Sequence, residues 1–227
     1  MGNKFVKLDY VQFYRGSGKV FCQVDAQHAM PPQADLYTGQ LVRNIVWETG
    51  CAGVISMVSR TIADLNRKED GKNKQAIQQY RKAIFEILQH LGILEQKRHR
   101  LTKPYLQLTI HGMKDDHHGP YAIEIGTYNG LSCSRQIRKW FRKTLTSKAN
   151  DILPKLKIRF DKYFDGDESI TYHRQGDGTN YKGYGYHFHT FQIELSRTLR
   201  EKHIEEMTEL LSHVISAFQS EIVEKKT

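Results

Sequence analysis

Hydrophobic and polar positions alternate in several short runs and recur at helical spacing in others. Residues 19–25 (KVFCQVD) alternate as a half-buried strand does, and the run leads through Ala26 and Gln27 to His28. Pro31-Pro32 then forces a loop, after which Asp35 is placed to cap a helix reaching about Thr49 and closed by Gly50. Residues 52–58, 104–110, 121–126, 156–160 and 188–195 read as further strands. Residues 74–94 form an amphipathic helix, with Ile77, Tyr80, Ile84, Ile87, Leu88 and Leu91 on one face and Gly92 weakening its end. Residues 132–144 are helical, and 200–224 carry one stripe of Ile204, Met207, Leu211, Val214, Ile215, Phe218 and Ile222. The Gly-, Asp- and Tyr-rich stretch 165–186 reads as a long loop, and Gly16-Ser17-Gly18 as a hairpin turn. Strands alternating with helices predict one three-layer α/β/α domain over residues 1–227, built on a mixed, largely parallel sheet. Ligands of such sheets bind at the carboxyl ends of the strands.

Composition narrows the setting. No run approaches about 18 consecutive apolar residues, so neither a transmembrane helix nor a membrane partner is expected. The first residues lack the apolar run of a secretory signal, and Met1-Gly2 lacks the Ser or Thr at position 6 that acylation requires. Three scattered cysteines, Cys22, Cys51 and Cys133, form no CxxC pair, which points to a reducing cytoplasm and away from a thiolate zinc site. Lys and Arg outnumber Asp and Glu by 34 to 25, a net charge of +9 that favours anionic partners. The densest basic run, residues 135–143, interleaves Arg135, Arg138, Lys139 and Arg142 with Trp140 and Phe141. A basic nucleic-acid-binding module is one reading of it. A solvated helix face with its aromatics turned inward is the preferred one, because no nucleic-acid motif accompanies it.

Strand ends supply the candidate chemistry. His28, Asn66-Arg67, His111 and Glu194 all stand at or beyond such ends. Two imidazoles and a carboxylate make a catalytic zinc site with one position left open, and His28 and His111 are the natural imidazoles. Asp35 is the candidate oxygen ligand and Asp25 its rival. Glu194, in the otherwise apolar FQIEL, carries a charge that is costly there unless used or paired, with Arg197 or Arg200 as possible partners. Used, it is a general base and acid. No HExxH string is present. The 114–119 loop (KDDHHG) reads as a second metal site or a soluble loop, and Glu124 as an outer partner of a ligand histidine or a surface residue. The 176–186 loop reads as a mobile lid or a rigid aromatic turn, and one of His187 and His189 could face the site.

The string Ser59-Arg60-Thr61-Ile62-Ala63-Asp64-Leu65-Asn66-Arg67 resembles the Ser-Arg-x-x-x-Asp-Leu-Asn-Arg signature of the N-formylglutamate amidohydrolase family, a branch of the zinc carboxypeptidase-like hydrolases. His28 after its strand, the acidic segment 34–41, His111 in LTIHGM and Glu194 in FQIEL follow in the same chain order, over roughly residues 19–200. The resemblance implies the zinc carboxypeptidase / phosphorylase-hydrolase-like fold and a zinc-dependent deacylase or amidase. By it, His28, Asp35 and His111 hold Zn2+, Glu194 is the catalytic proton carrier, and Asn66 and Arg67 bind a carboxylate or the oxyanion of a small amide substrate. Arg60 is a second candidate for that grip or a structural residue, and Asp64 orients Arg67 or caps its turn. The chain differs from the family in having Gln27 where a proline usually precedes the first histidine, Lys68 where a proline follows the signature, and a shorter path from His28 to the acidic segment. A member of this family that binds without catalysing is the remaining alternative.

Overall fold

In the computed structural model, which describes residues 4–225, ten strands and six α-helices follow one another along the chain. The Met1-Gly2 pair lies outside the described residues. The order is β1 (Val6–Lys7), β2 (Val11–Tyr14), β3 (Cys22–Ala26), α1 (Thr38–Thr49), β4 (Ala52–Ser56), α2 (Lys74–His90), β5 (Leu94–Glu95), β6 (Arg100–Leu101), β7 (Tyr105–Met113) and β8 (Ala122–Gly126). There follow α3 (Arg135–Ile152), β9 (Lys157–Phe160), α4 (Tyr172–Gln175), β10 (Phe188–Ser196), α5 (Arg197–Lys202) and α6 (Ile204–Phe218). Eight strands form one sheet in the order β1-β2-β4-β3-β7-β10-β8-β9, and β5 and β6 pair separately. The central four, β4, β3, β7 and β10, run parallel, while β2 and β8 run against their inner neighbours. This is the mixed, mostly parallel sheet that the alternation of elements predicts.

The two faces differ. Cys22, Val24, Leu106, Leu108, Ile110, Phe191, Ile193 and Leu195 point to one side, where α1, α3 and α6 cover them. Phe141 stacks on Phe191 there with ring centroids 4.0 Å apart, a contact between two fully buried rings each worth about 1.5–3 kcal/mol of transfer free energy. On the other side α2 and the 181–188 segment pack on β2, β4 and the starts of β7 and β10, through Ile84, Ile87, Leu88, Tyr105, Tyr184 and Phe188. The alternating polar residues of β3, β7 and β10 also point to this second side, but they are buried, not solvated. Asp25 accepts from Gln23, Gln107 and the Tyr80 hydroxyl, and Gln107 accepts from Thr190. Those bonds satisfy groups whose burial would otherwise be costly.

Several expectations change. The Gly16–Gly18 stretch is not a hairpin turn, because β2 and β3 are separated in the sheet by β4. Gly16 has a positive φ of 83°, and a Cβ there would stand 3.1 Å from the Ala52 amide. The 200–224 segment is not one helix: α5 ends at Lys202, the chain breaks at His203, and the stripe from Ile204 to Ile222 runs along α6 and a π-helical turn, Gln219–Val223. Asp35 does not cap α1 with its side chain, and Thr38 bonds only to its backbone carbonyl. On α3, Phe141 is buried, Arg138 is paired with Asp161, and Arg142 lies over the Phe160 ring. Two of the five cations of the basic run, Arg138 and Arg142, are thus engaged within the fold. No helix among the described residues is long and apolar enough to cross a membrane.

Candidate metal centre

The carboxyl ends of β3, β7 and β10 open on a cavity of about 310 Å³. Register puts His111 beside Glu194 across the β7–β10 pair. The chain leaving β3 carries His28, loops out, and returns so that the Asp35 amide donates to the His28 carbonyl at 2.8 Å. That closure brings the Asp35 carboxylate between the two imidazoles. Asp35 Oδ2 lies 3.3 Å from His28 Nδ1 and 3.4 Å from His111 Nδ1, and the rings stand edge to face with centroids 4.8 Å apart. The three donor atoms lie within 4.8 Å of one another, and all three residues are buried. Asp25, the rival oxygen ligand, sits deeper in β3 within its own hydrogen-bonded group.

Each member of the group is held from behind. His28 Nε2 meets Asp64 Oδ1 at 2.7 Å, His111 Nε2 meets Gln27 Oε1 at 3.2 Å, and Arg60 Nη2 donates to Asp35 Oδ1 at 2.6 Å. Such partners fix imidazole orientation and leave one ring nitrogen free for an ion. Sequence reasoning missed two of them. Asp64 supports His28 while also capping its own turn by accepting the Asn66 amide at 2.9 Å, with Arg67 Nε at 4.0 Å from its other oxygen. Gln27, the residue that replaces a proline, supports His111. Ser59 donates to the Pro32 carbonyl at 2.5 Å and so ties the signature string to the loop that delivers Asp35.

The charges reflect this packing. Burial by itself would lower the His28 pKa, but the carboxylates of Asp35 and Asp64 outweigh it and raise it. His111, fully buried, is lowered. Burial would raise both acids, yet His28 brings Asp64 down to about 2, and the two imidazoles together with Arg60 hold Asp35 well below the usual carboxylate range. Glu194 goes the other way. Burial, reinforced by the Asp35 charge, pushes it up to about 8. It is 6% exposed and accepts from Gln192 Nε2 at 3.0 Å. Neither arginine pairs with it: Arg197 bonds to Glu201, and Arg200 donates to backbone carbonyls.

Asn66 and Arg67 line the same cavity, as does Arg60. Asn66 donates to Gln192 Oε1 at 3.4 Å, and its own buried Oδ1 has no partner among the described residues. Arg67 is half exposed at the rim, donating to the Asn66 carbonyl at 2.7 Å with Asp167 at 3.6 Å. The opposite wall is the 163–167 segment, most of which the sequence marks only as the start of a long loop. Glu124 secures it: one oxygen accepts the amides of Lys162, Tyr163 and Phe164, the other meets His118. Glu124 is therefore neither an outer partner of a ligand histidine nor a surface residue, and His118 is committed to it. His117 packs on Phe164. Neither His187 nor His189 lines the cavity; His189 bonds to the Ser134 amide and Arg174. In the 176–186 loop Tyr184 is buried against Phe188 and His99, the rigid aromatic alternative to a lid.

Compared with known structures, the chain is similar to N-formylglutamate amidohydrolase from Ralstonia eutropha JMP134, with TM-score 0.67, 12% identity, and coverage of 95% of this chain and 98% of that one. It is also similar to a gene product of Agrobacterium tumefaciens (TM-score 0.59, 14% identity, 93% and 94% covered). A bacteriophage poly-gamma-glutamate hydrolase follows (TM-score 0.51, 10% identity, 96% and 93% covered). No family model matches the chain, and no curated protein matches it in sequence. At these identities the likeness is one of fold, and it is the fold the signature string implies.

Proposed function

We propose that this protein is a zinc-dependent hydrolase of an amide bond in a small acyl-amino-acid or peptide-like substrate bearing a carboxylate. The observation that carries the reading is the convergence of His28 Nδ1, Asp35 Oδ2 and His111 Nδ1 beside a buried, under-bonded Glu194. Two neutral nitrogens and one carboxylate oxygen, each braced by an outer partner, suit a divalent zinc with a position left for substrate or water. Zinc bound there supplies Lewis acidity, polarising the scissile carbonyl and lowering the pKa of water.

The chain's own residues do the rest. Glu194 takes a proton from the attacking water and passes it to the leaving nitrogen, a role suited to a carboxylate whose pKa lies near neutrality. Arg67, half exposed at the rim, grips the substrate carboxylate through its planar fork. Asn66 offers its free Oδ1 to a substrate donor. Arg60 lines the cavity but is committed to Asp35, so in this reading it supports the ligand set more than it binds substrate. N-formylglutamate amidohydrolase and poly-gamma-glutamate hydrolase, two neighbours in fold, both act on glutamyl compounds by their names, which supports an acyl-amino-acid or γ-glutamyl substrate here. Three free, buried cysteines suit a cytoplasmic setting.

The test is zinc content of untagged protein together with turnover of N-acyl amino acids and γ-glutamyl amides. About one zinc per chain is expected, with Glu194→Gln reducing kcat by roughly 10²–10⁴-fold. Zinc far below one per chain after supplementation refutes the reading. Stoichiometric zinc with no turnover of either class points to the non-catalytic member of the fold.

A further inference from the structure

One buried cation touches all three segments that bring Asp35, His111 and Glu194 together. Arg200, in α5, is 6% exposed. Its guanidinium donates from Nη1 to the Leu36 carbonyl at 2.7 Å, from Nη2 to the Met113 carbonyl at 3.2 Å, and from Nε to the Leu195 carbonyl at 3.1 Å. Leu36 follows Asp35, Met113 stands two residues after His111, and Leu195 follows Glu194. The guanidinium lies against Gly112, where a Cβ would come within 2.4 Å of Arg200 Cζ. A glycine directly after His111 is thus what lets the arginine reach. The helix carrying it is anchored in turn, because Asp115 accepts from both the amide and the hydroxyl of Thr198.

A staple of general structural use could take carbonyls anywhere. Here every acceptor lies within two residues of a group in the candidate centre, on three segments joined by nothing shorter than long stretches of chain. A planar fork of fixed geometry also sets the spacing of what it binds more tightly than separate donors do. We propose that Arg200 is a positioning residue: it fixes the mutual placement of Asp35, His111 and Glu194, and so sets metal affinity and the aim of the base. The proposal rests on the reading that His28, Asp35 and His111 hold a metal, and it is independent of the substrate.

The experiment titrates Co2+ into wild type, Arg200→Met, Arg200→Lys, Gly112→Ala and, as a control for mere destabilisation, Phe141→Leu in the opposite core. Affinity, the visible cobalt spectrum and Tm are read for each. Arg200→Met is expected to lose on the order of 10–100-fold in Co2+ affinity, as removal of outer supports does elsewhere, with a changed spectrum. Arg200→Lys recovers part of the affinity, and Phe141→Leu lowers Tm with cobalt binding unaltered. Wild-type affinity and spectrum in Arg200→Met overturn the proposal. Should that variant fail to fold, Gly112→Ala decides, since it displaces the guanidinium without deleting it: weakened binding supports the clamp, and unaltered binding and spectrum overturn it. A folded wild type that takes up no Co2+ overturns the metal reading itself, and the clamp with it.

Discussion

Asp64→Ala removes a support from the candidate metal centre and leaves all three donors in place. Asp64 Oδ1 meets His28 Nε2 at 2.7 Å and also accepts the Asn66 amide at 2.9 Å. Loss of an outer carboxylate costs metal sites roughly 10–100-fold in affinity, or about 1.4–2.7 kcal/mol at about 1.36 kcal/mol per decade. The Asp64 side chain is 22% exposed, so solvent screens part of its charge and the lower end of that range, near tenfold, is expected. The effect has a pH signature. Asp64 helps raise the His28 pKa, so in acid it stabilises a proton that a metal must displace. The variant lacks that proton-holding partner. Its deficit is therefore largest above the His28 pKa and narrows as pH falls. Asp64→Asn keeps an acceptor for the Asn66 turn without the charge, and should fall between the two. Competition against a chromophoric chelator from about pH 6 to about pH 8 measures all three proteins across the imidazole range. Equal affinity of Asp64→Ala and wild type throughout refutes the supporting role. A deficit that widens in acid refutes the protonation argument.

In metal-free protein Glu194→Gln should raise Tm at about pH 8 and change it little near pH 5, because Glu194 is raised to about 8 when folded. The folded state then holds a proton that the unfolded chain releases, so wild-type stability falls as pH rises through that window; a gap that is largest in acid contradicts this. Tyr184→Ala should cost about 3–5 kcal/mol in denaturant unfolding, since it empties a buried aromatic stack. Its Co2+ affinity should stay at the wild-type value, and an undiminished stability would return the 176–186 loop to the status of a lid.

Period and alternation locate the main strands and the long helices, because each is long enough to show a full period. They miss what is too short to show one: β1, β5 and β6 have two residues each. They also miss the break at His203, because the apolar stripe begins only at Ile204, after it, and Leu199 of α5 is buried in the same core as the α6 residues. Strand ends nominate His28, His111 and Glu194 for one cavity, whereas Asp35 stands before a helix, with Asp25 left as its rival, and is singled out only by the resemblance. The supports could not be anticipated. Gln27 and His111 are 84 residues apart and Asp64 and His28 are 36 apart, and a contact across such a distance leaves no periodic trace. What the signature string does carry is a set of tasks at one place: Ser59 pins the proline loop, Arg60 holds Asp35, Asp64 holds His28, and Asn66 and Arg67 reach the cavity.

Polarity within a strand does not by itself single out a catalytic acid here, because three strand carboxylates are buried: Asp25 in β3, Glu124 in β8 and Glu194 in β10. Their hydrogen bonds separate them. Asp25 is met by a tyrosine hydroxyl and two glutamine amides. Glu124 is met by three backbone amides and His118, which hold its pKa below the usual value despite burial. Glu194 receives one bond, from Gln192. A buried carboxylate offers about four lone-pair sites, so the other two are largely satisfied by the fold while Glu194 keeps unused acceptors. It lines the cavity, and it is flanked by His111 on β7 and Glu124 on β8. The raised pKa follows from the same deficit, since burial is opposed by too few donors. Under the proposed function Glu194 is the acid left free to take a proton and give it back, because it lines the cavity with unused acceptors. The two acids whose bonding is complete cannot do so without breaking the structure that holds them.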